Sequence, residues 1–194
     1  MIQFFFGLII IYMIWQVWQK VTSNLVLVKS RVDNKEYLVQ NLPDKQEASD
    51  LLAKLMQSAW KVVEKSKKSS DPDLKRLAER FNPKSVQENV QTSSYTSYSE
   101  NKGEKIVLCL RKKDSSFALL DEQVILFVFL HELAHLATKE SGPNGGHTKI
   151  FWANFKKIIT IAHELGVYQP IDYSKNPEQY CGIDITDNVY FTTV

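Results

Sequence analysis

Three of the four histidines in this sequence fall in one short stretch, and two of them are separated by one helical turn. His131, Glu132 and His135 fit the pattern H-E-x-x-H, and His147 follows after a glycine-rich segment. On a helix, positions i and i+4 lie on the same face, so the two imidazoles can bind one Zn²⁺ at about 2.0–2.1 Å. Glu132 can reach a zinc-bound water without being a ligand. Zinc lowers the pKa of that water to near 7, so a carboxylate can take its proton at neutral pH.

The residues just before this motif indicate that it lies on a buried helix. The stretch 124–130 is apolar throughout, and Asp121 is a suitable helix N-cap. Burying two histidines and a glutamate without partners is costly, and a zinc ion would satisfy all three side chains at once. The alternative is a pair of surface histidines on an amphipathic helix. A third histidine in the following loop favours the metal site.

The third ligand is predicted to be His147, because a loop as short as the one before it can fold back beneath the first helix. Glu140 and a glutamate from the later helix, Glu164, are the alternatives. The extended metzincin pattern is excluded, since it needs Gly and His where this chain has Thr138 and Ser141. Three protein ligands are typical of a catalytic zinc site, which keeps its fourth position open.

Other polar residues are weaker candidates for a role in this site. His163 begins a second H-E pair, but no histidine follows four residues later, so we predict that it lies on the helix surface or behind the ligands. A tyrosine hydroxyl could stabilise the oxyanion of a tetrahedral intermediate. The candidates are Tyr95, Tyr98, Tyr168 and Tyr180, and for each one a structural role is the more expected.

The elements that must position these residues follow from hydrophobic periodicity and turn signals. The predicted order is a hairpin over 25–40, a long helix over 41–68, a short helix over 69–83, a second hairpin over 92–113, and helices over 120–142 and 148–166. The tail 167–194 shows little periodicity. The strand Lys105–Arg111 is the predicted exposed edge, to which an extended substrate could add as a further strand. This order predicts one α+β domain over residues 25–194.

The first nineteen residues carry no charged side chain. A membrane-spanning helix needs about 20 predominantly apolar residues, so residues 1–20 are predicted to be an uncleaved transmembrane anchor. A cleaved signal peptide and a buried core helix are the alternatives. Lys20, Lys29 and Arg31 follow the apolar segment, and the positive-inside rule then places the rest of the chain in the cytosol. The predicted localisation is a single-pass membrane protein with a cytosolic domain.

Composition excludes some classes of protein. With 194 residues and 44% hydrophobic residues, the chain can bury a sizeable core. A net charge of +2 is too small to indicate a dedicated polyanion partner. The only cysteines, Cys109 and Cys181, do not make a disulfide framework. We expect two free thiols in a reducing compartment, with a single bridge in an oxidising one as the alternative.

The stretch "LHELAHLATKESGPNGGHTKIFW" resembles the WLM and SprT-like zinc metallopeptidases, in which a third histidine follows H-E-L-A-H shortly before an aromatic pair. The resemblance covers residues 92–165 well, while residues 25–90 resemble WLM-like proteins of large DNA viruses more loosely. It implies His131, His135 and His147 as zinc ligands and Glu132 as the catalytic acid/base. It also implies a compact zincin-like fold with a small antiparallel sheet packed on helices. The implied activity is peptide-bond hydrolysis, often of proteins attached to DNA or to ubiquitin-like modifiers.

The predicted function is therefore a membrane-anchored zinc metalloendopeptidase, which cleaves protein or peptide substrates with a zinc-bound water activated by Glu132. The first alternative is a DNA-associated protease, with Lys61–Lys68 and Lys102–Lys113 as its basic surface, although these lysines are mixed with acidic residues. DNA is thus a further candidate partner that the sequence itself does not show. The second alternative is a non-catalytic interaction module stabilised by zinc, which would have no use for Glu132.

Overall fold

The computed structural model of the chain describes residue 12 and residues 24–90, 96–139 and 146–192. The predicted anchor at residues 1–20 lies outside the described residues, with Tyr12 as the exception. Among the helices of the described residues, none is both long enough and apolar enough to cross a membrane.

The described residues form four α-helices and seven short strands around one core. The helices are α1 (Lys45–Lys67), α2 (Pro72–Arg80), α3 (Glu122–Ala137) and α4 (Lys149–Glu164), with a 3-10 turn at Pro83–Ser85. The strands are β1 (Leu25–Lys29), β2 (Glu36–Gln40), β3 (Val86–Glu88), β4 (Tyr98–Glu100), β5 (Lys105–Leu108), β6 (Glu178–Tyr180) and β7 (Ile183–Ile185). The predicted α+β class, both predicted hairpins and all four predicted helices are confirmed, although the helix predicted over 120–142 ends at Ala137.

The strands form three small sheets, and their pairing corrects one prediction. β1 pairs with β2 and β6 with β7 as antiparallel hairpins, while the third sheet has the order β3-β5-β4. In it β4 runs antiparallel to β5, but β3 runs parallel to it, so the sheet is mixed and not purely antiparallel. The strand predicted as the exposed edge, Lys105–Arg111, contains β5, which is central and has a hydrogen-bonded neighbour on both sides. The edge strand next to the HExxH helix is β4.

The helix that carries the HExxH motif is the central element of the fold. Eleven of its 16 residues are buried, so α3 is surrounded on nearly every side. Asp121 caps its first turn by accepting hydrogen bonds from the backbone N–H groups of Gln123 and Val124, as the sequence predicts. The helices α1, α2 and α4 all pack on it, and the Phe129 side chain is fully buried among them. Such packing fixes the backbone of α3 and the directions of the side chains that it presents.

The carboxyl end of α3 is held by cations from neighbouring elements. Arg80 donates from Nη1 to the carbonyl oxygens of Leu136 at 3.0 Å and Thr138 at 3.2 Å. Arg76 donates to the carbonyl oxygen of Ala137 at 2.7 Å. Carbonyl groups at a helix end have no partner within the helix and carry a partial negative charge. The two guanidinium groups satisfy them and fix the end of the helix close to the motif.

The turn after the first strand is fastened to α1 through Asp50. Its carboxylate accepts hydrogen bonds from the Ser30 hydroxyl at 2.9 Å, from the Arg31 backbone N–H at 2.7 Å and from the Arg31 guanidinium at 2.6 Å. Burial alone would raise the pKa of Asp50. The hydrogen bonds outweigh that effect and lower the pKa from 3.8 to about 2.

The two cysteines are joined, which corrects the expectation of free thiols. Cys109 follows β5 and Cys181 lies at the turn between β6 and β7, and a disulfide connects them across a sequence separation of 72 residues. The bond ties the C-terminal hairpin to the mixed sheet. The single bridge that the sequence left as the alternative is therefore the one observed, and only the folded chain brings the two residues together.

Candidate metal centre

Two of the three clustered imidazoles come from α3. His131 and His135 are one turn apart, both are partly buried, and their ring centroids are 5.0 Å apart. Since positions i and i+4 share a helix face, the buried helix aims both rings at the same point in space. The structure therefore gives these two residues the arrangement that the H-E-x-x-H spacing predicts.

The third imidazole comes from the residue just before the N-cap of α4. Thr148 caps that helix by accepting a hydrogen bond from the Phe151 backbone N–H, and the preceding Gly146 has a φ of 84°, which glycine adopts without strain. His147 is thereby held with its Nε2 atom 3.0 Å from Nε2 of His131. One nitrogen atom from each of the three histidines lies within 4.8 Å of the others.

The alternative third ligand that the structure describes is not part of this cluster. Glu164 lies exposed at the end of α4, and it is absent from the group of potential ligands found among the described residues. Glu140 lies outside the described residues. His163 is near the end of α4 with its ring against Tyr190, at a centroid distance of 5.4 Å, and it does not belong to the cluster either.

The imidazoles pack against an aromatic side chain, and burial lowers the pKa of two of them, His131 and His135. The ring of Phe151 contacts all three, with centroid distances of 4.9 Å to His131, 4.4 Å to His135 and 4.7 Å to His147. Burial, followed by the charges of the other two histidines, lowers the pKa of His131 to about 3. Burial, followed by His147 and Lys102, lowers the pKa of His135 to about 4. A neutral imidazole is the form that binds a metal ion, so this donor set fits zinc at neutral pH.

Glu132 lies beside the cluster without belonging to it. Only 5% of the residue is exposed, and burial raises the pKa of its carboxyl group to about 7, while a hydrogen bond with the Ser99 side chain acts in the opposite direction. Ser99 lies in β4, so the edge strand orients the carboxyl group. Sequence analysis did not identify Ser99, because a serine in a short polar strand gives no signal that it faces a site.

The C-terminal hairpin also lines the site. Tyr180 is fully buried, and its hydroxyl lies 2.6 Å from Oγ of Ser97. Burial raises the pKa of Tyr180, and the nearby charge of Glu132 adds to the effect. Of the other candidate tyrosines, Tyr98 also lines the cleft, whereas Tyr168 is buried elsewhere and accepts a hydrogen bond from Asn188. Tyr95 lies outside the described residues.

These side chains surround an open cleft of about 940 Å³. It is lined by the HExxH face of α3, by residues of β4, and by a wall that contains Tyr180 and the segment Ile183–Asp187. A cleft of this size can take a segment of polypeptide. An open cleft is typical of a catalytic metal site, whereas a structural zinc site usually has four protein ligands and is closed to water.

A helix with an HExxH face, a third histidine just before the next helix and an adjacent sheet edge together form the arrangement that is typical of zincin-like folds. The WLM domain family matches residues 31–178, which is more than half of the chain, and the chain belongs to the WLM family.

Two viral proteins and one solved fold are similar to the chain. "Uncharacterized protein R325" of Acanthamoeba polyphaga mimivirus is 33% identical over 187 residues, which cover 93% of this chain and 92% of that protein. "Uncharacterized protein 136R" of Invertebrate iridescent virus 6 is 38% identical over 73 residues, 37% of this chain and 38% of that one. The crystal structure of Wss1 from Saccharomyces cerevisiae shares the fold, with a TM-score of 0.50 and 22% identity over 66% of this chain and 86% of that one.

Proposed function

We propose that the chain is a membrane-anchored, zinc-dependent metalloendopeptidase that hydrolyses peptide bonds in protein substrates. The observation that carries the proposal is the position of Glu132, a buried carboxyl group beside three converging imidazoles in an open cleft. A cluster that served only to stabilise the fold would have no use for a carboxyl group there. Membership of the WLM family supports the same class of enzyme.

His131, His135 and His147 would hold the zinc ion. When bound, zinc supplies a Lewis acid that polarises a carbonyl group and lowers the pKa of water to near 7. Glu132 lines the same cleft as the three histidines, and it would take the proton of the attacking water and deliver it to the leaving amide nitrogen. Ser99 keeps the Glu132 carboxyl group oriented during this transfer through the hydrogen bond described above.

The walls of the cleft supply the remaining functions. An extended substrate would pair with β4, which is the edge strand of its sheet among the described residues and lines the cleft. Such pairing presents the substrate backbone to the cluster regardless of its side chains. The hydroxyl of Tyr180, held by Ser97, is the candidate donor for the oxyanion that develops on the carbonyl oxygen.

The proposed location rests on residues 1–20 and on the charges that follow them. An uncharged apolar segment of this length supports a membrane anchor, and the cationic flank of Lys20, Lys29 and Arg31 supports a cytosolic domain. The disulfide instead favours the side of the membrane opposite the cytosol, because such bonds persist mainly in oxidising compartments.

Alkylation of thiols in intact cells, followed by mass spectrometry of the chain, separates the two locations. A cytosolic domain predicts that Cys109 and Cys181 are alkylated. Recovery of the chain with the bond between them intact would place the domain on the oxidising side and overturn the proposed location.

The activity is tested with the purified full-length chain and its Glu132→Gln variant, each loaded with zinc. Glutamine keeps the size of the side chain and removes the base, so zinc content should stay unchanged. Cleavage of an unfolded protein substrate should fall by roughly 10²–10⁴-fold, the usual worth of general-base assistance. A chelator should abolish wild-type cleavage. Equal activity of the two forms would show that the hydrolase assignment is wrong.

Two further outcomes of the same assay distinguish the alternatives. If the wild-type chain binds zinc tightly and cleaves neither unfolded nor DNA-bound protein, the non-catalytic interaction module replaces the enzyme. If cleavage requires DNA, the DNA-associated protease replaces the membrane-anchored one. Binding to DNA should then weaken steeply as the salt concentration rises.

A further inference from the structure

The cleft above the candidate metal centre continues into a second cavity. This cavity has a volume of about 840 Å³, and it shares Phe127, His131 and Asp187 with the first one. Because His131 lines both cavities, a molecule placed over the imidazole cluster also lies at the entrance to the second cavity. The two cavities are arms of one cleft, and we call the second one the apolar arm.

The chemistry of the apolar arm differs from that of the catalytic arm. Its walls come mainly from the aromatic side chains Phe127, Trp152 and Phe155, with Ile150 and Ala153 beside them. Its polar residues include one cation, Lys149, and one anion, Asp187, so the arm carries no net charge. An apolar pocket with a few polar groups at its edge is the usual form of a site for an apolar ligand group.

Two of the apolar residues that α4 presents to this arm, Ile150 and Trp152, lie outside the core of the fold. The side of α4 that packs into the core is formed by buried residues at helical spacing, Phe151, Phe155, Ile158, Ile159 and Ala162. Ile150 and Trp152 lie off that face and remain 45% and 38% exposed. A cluster of exposed large apolar side chains marks a surface that is covered by a ligand or a partner.

Trp152 also connects the apolar arm to the candidate ligands. Its ring stacks on His147 at a centroid distance of 5.6 Å, and it meets the edge of His131 at 6.3 Å. The wall of the arm is therefore in contact with two of the three imidazoles. A side chain in the arm must belong to a residue next to, or very near, the bond that lies over the cluster.

We infer that the apolar arm is a specificity pocket that takes a bulky apolar or aromatic side chain of the polypeptide substrate adjacent to the scissile bond. The inference rests on the proposed function, and it names the kind of substrate side chain that the proposed enzyme would prefer. A substrate side chain is the occupant that the geometry favours, because the arm opens onto the cluster where the substrate backbone would lie. Pairing along β4 holds the backbone whatever its sequence, so the arm supplies the selection.

The test begins with an unfolded protein that the zinc-loaded full-length chain cleaves, with its cleavage sites mapped by mass spectrometry. We expect a bulky apolar residue at one fixed position beside the cleaved bonds. In matched peptides, Phe or Leu at that position should be preferred over Ala or Asp by roughly 10- to 200-fold in kcat/KM, the range that one hydrophobic pocket achieves. Cleavage without such a preference would overturn the inference and leave the hydrolase assignment intact.

A pair of variants on α4 locates the preference in the arm. Ala153→Trp places a large side chain inside the arm, and the preference for Phe over Ala should collapse to about one. Leu165→Trp adds a tryptophan at the exposed end of the same helix, outside both arms, and the preference should stay as in the wild type. An unchanged preference in Ala153→Trp, with the variant folded and holding zinc, would overturn the inference.

A binding measurement separates failure of the pocket from failure of the proposed enzyme. The zinc-loaded Glu132→Gln chain is titrated with the fluorescently labelled peptides, and anisotropy should show tighter binding of the Phe peptide by a similar factor. If the wild type cleaves nothing but this preference persists, the enzyme assignment fails and the pocket stands. Equal binding of all peptides overturns the pocket. Peptide binding that appears only after removal of residues 1–19 also overturns it, and makes that segment the occupant.

Discussion

Reduction of the bond between Cys109 and Cys181 should destabilise the domain by an amount set by the length of the loop that it closes. The bond spans 72 residues, and the loop-closure entropy that it removes from the unfolded chain is worth about 4 kcal/mol at 25 °C. With a typical urea dependence of about 2 kcal/mol per molar, the urea midpoint of the reduced chain should be lower by about 2 M. Since most domains are stable by only about 5–15 kcal/mol, this is a large fraction of the total.

Urea unfolding of the full-length chain, followed by circular dichroism, measures this shift with and without a phosphine reductant. The matched control is the double variant Cys109→Ala/Cys181→Ala, which has no bond to reduce and whose midpoint should not respond to the reductant. A wild-type midpoint that is the same under both conditions would refute the reasoning. So would an equal shift in the double variant, because the shift would then be an effect of the reagent.

The remaining predictions concern the metal, the membrane, the core and acid stability. His147→Ala should lose most of the bound zinc measured by elemental analysis, while His163→Ala should keep it; the reverse would show that the wrong third ligand was chosen. Because residues 1–19 are uncharged, the full-length chain should stay in the membrane pellet after a carbonate wash, and recovery in the soluble fraction would contradict the anchor. Phe129→Ala should lower the free energy of unfolding by about 3–5 kcal/mol, since the side chain is fully buried. The pKa of Asp50 is lowered from 3.8 to about 2, so the contribution of its ionised form to stability is complete above about pH 4 and is lost as the pH falls to about 2. Acid unfolding curves of Asp50→Asn should lack that part of the pH dependence.

The helix that carries the motif could be predicted from local signals alone. Asp121 marks its start, the apolar stretch 124–130 indicates its burial, and the spacing of His131 and His135 predicts that their rings meet on one face. Each of these signals involves residues that are only a few positions apart, so it can be recognised in the sequence without knowledge of the fold. The position of His147 beside the other two imidazoles is harder to predict, because it depends on the path of the chain between two helices.

The features that the sequence did not predict depend on contacts between distant segments. The parallel pairing of β3 with β5 and the central position of β5 have no local signal. Glu88 and Arg111 form a buried ion pair, in which Nε of Arg111 donates to the Glu88 carboxylate at 2.8 Å. The two residues are 23 positions apart, so no local pattern indicates that they pair. The strands of the last hairpin are only three residues long, and their turn at Cys181 and Gly182 lacks the usual Asn-Gly or Asp-Gly signal. Periodicity cannot be detected in segments that short.

The wall that carries Tyr180 and the segment Ile183–Asp187 has a consequence for the order of events during synthesis. A growing chain emerges with all three imidazoles and Glu132 before it contains this wall, because the wall lies after His147 in the sequence. An unfolded nascent polypeptide is itself a substrate of the kind that the cleft would accept. Since Tyr180 arrives last, after every other polar group assigned to the reaction, the growing chain does not yet hold the complete set of groups that would cleave it. If the chain is the proposed enzyme, the order of residues would thus delay its catalytic competence until the chain around the site has had the opportunity to fold.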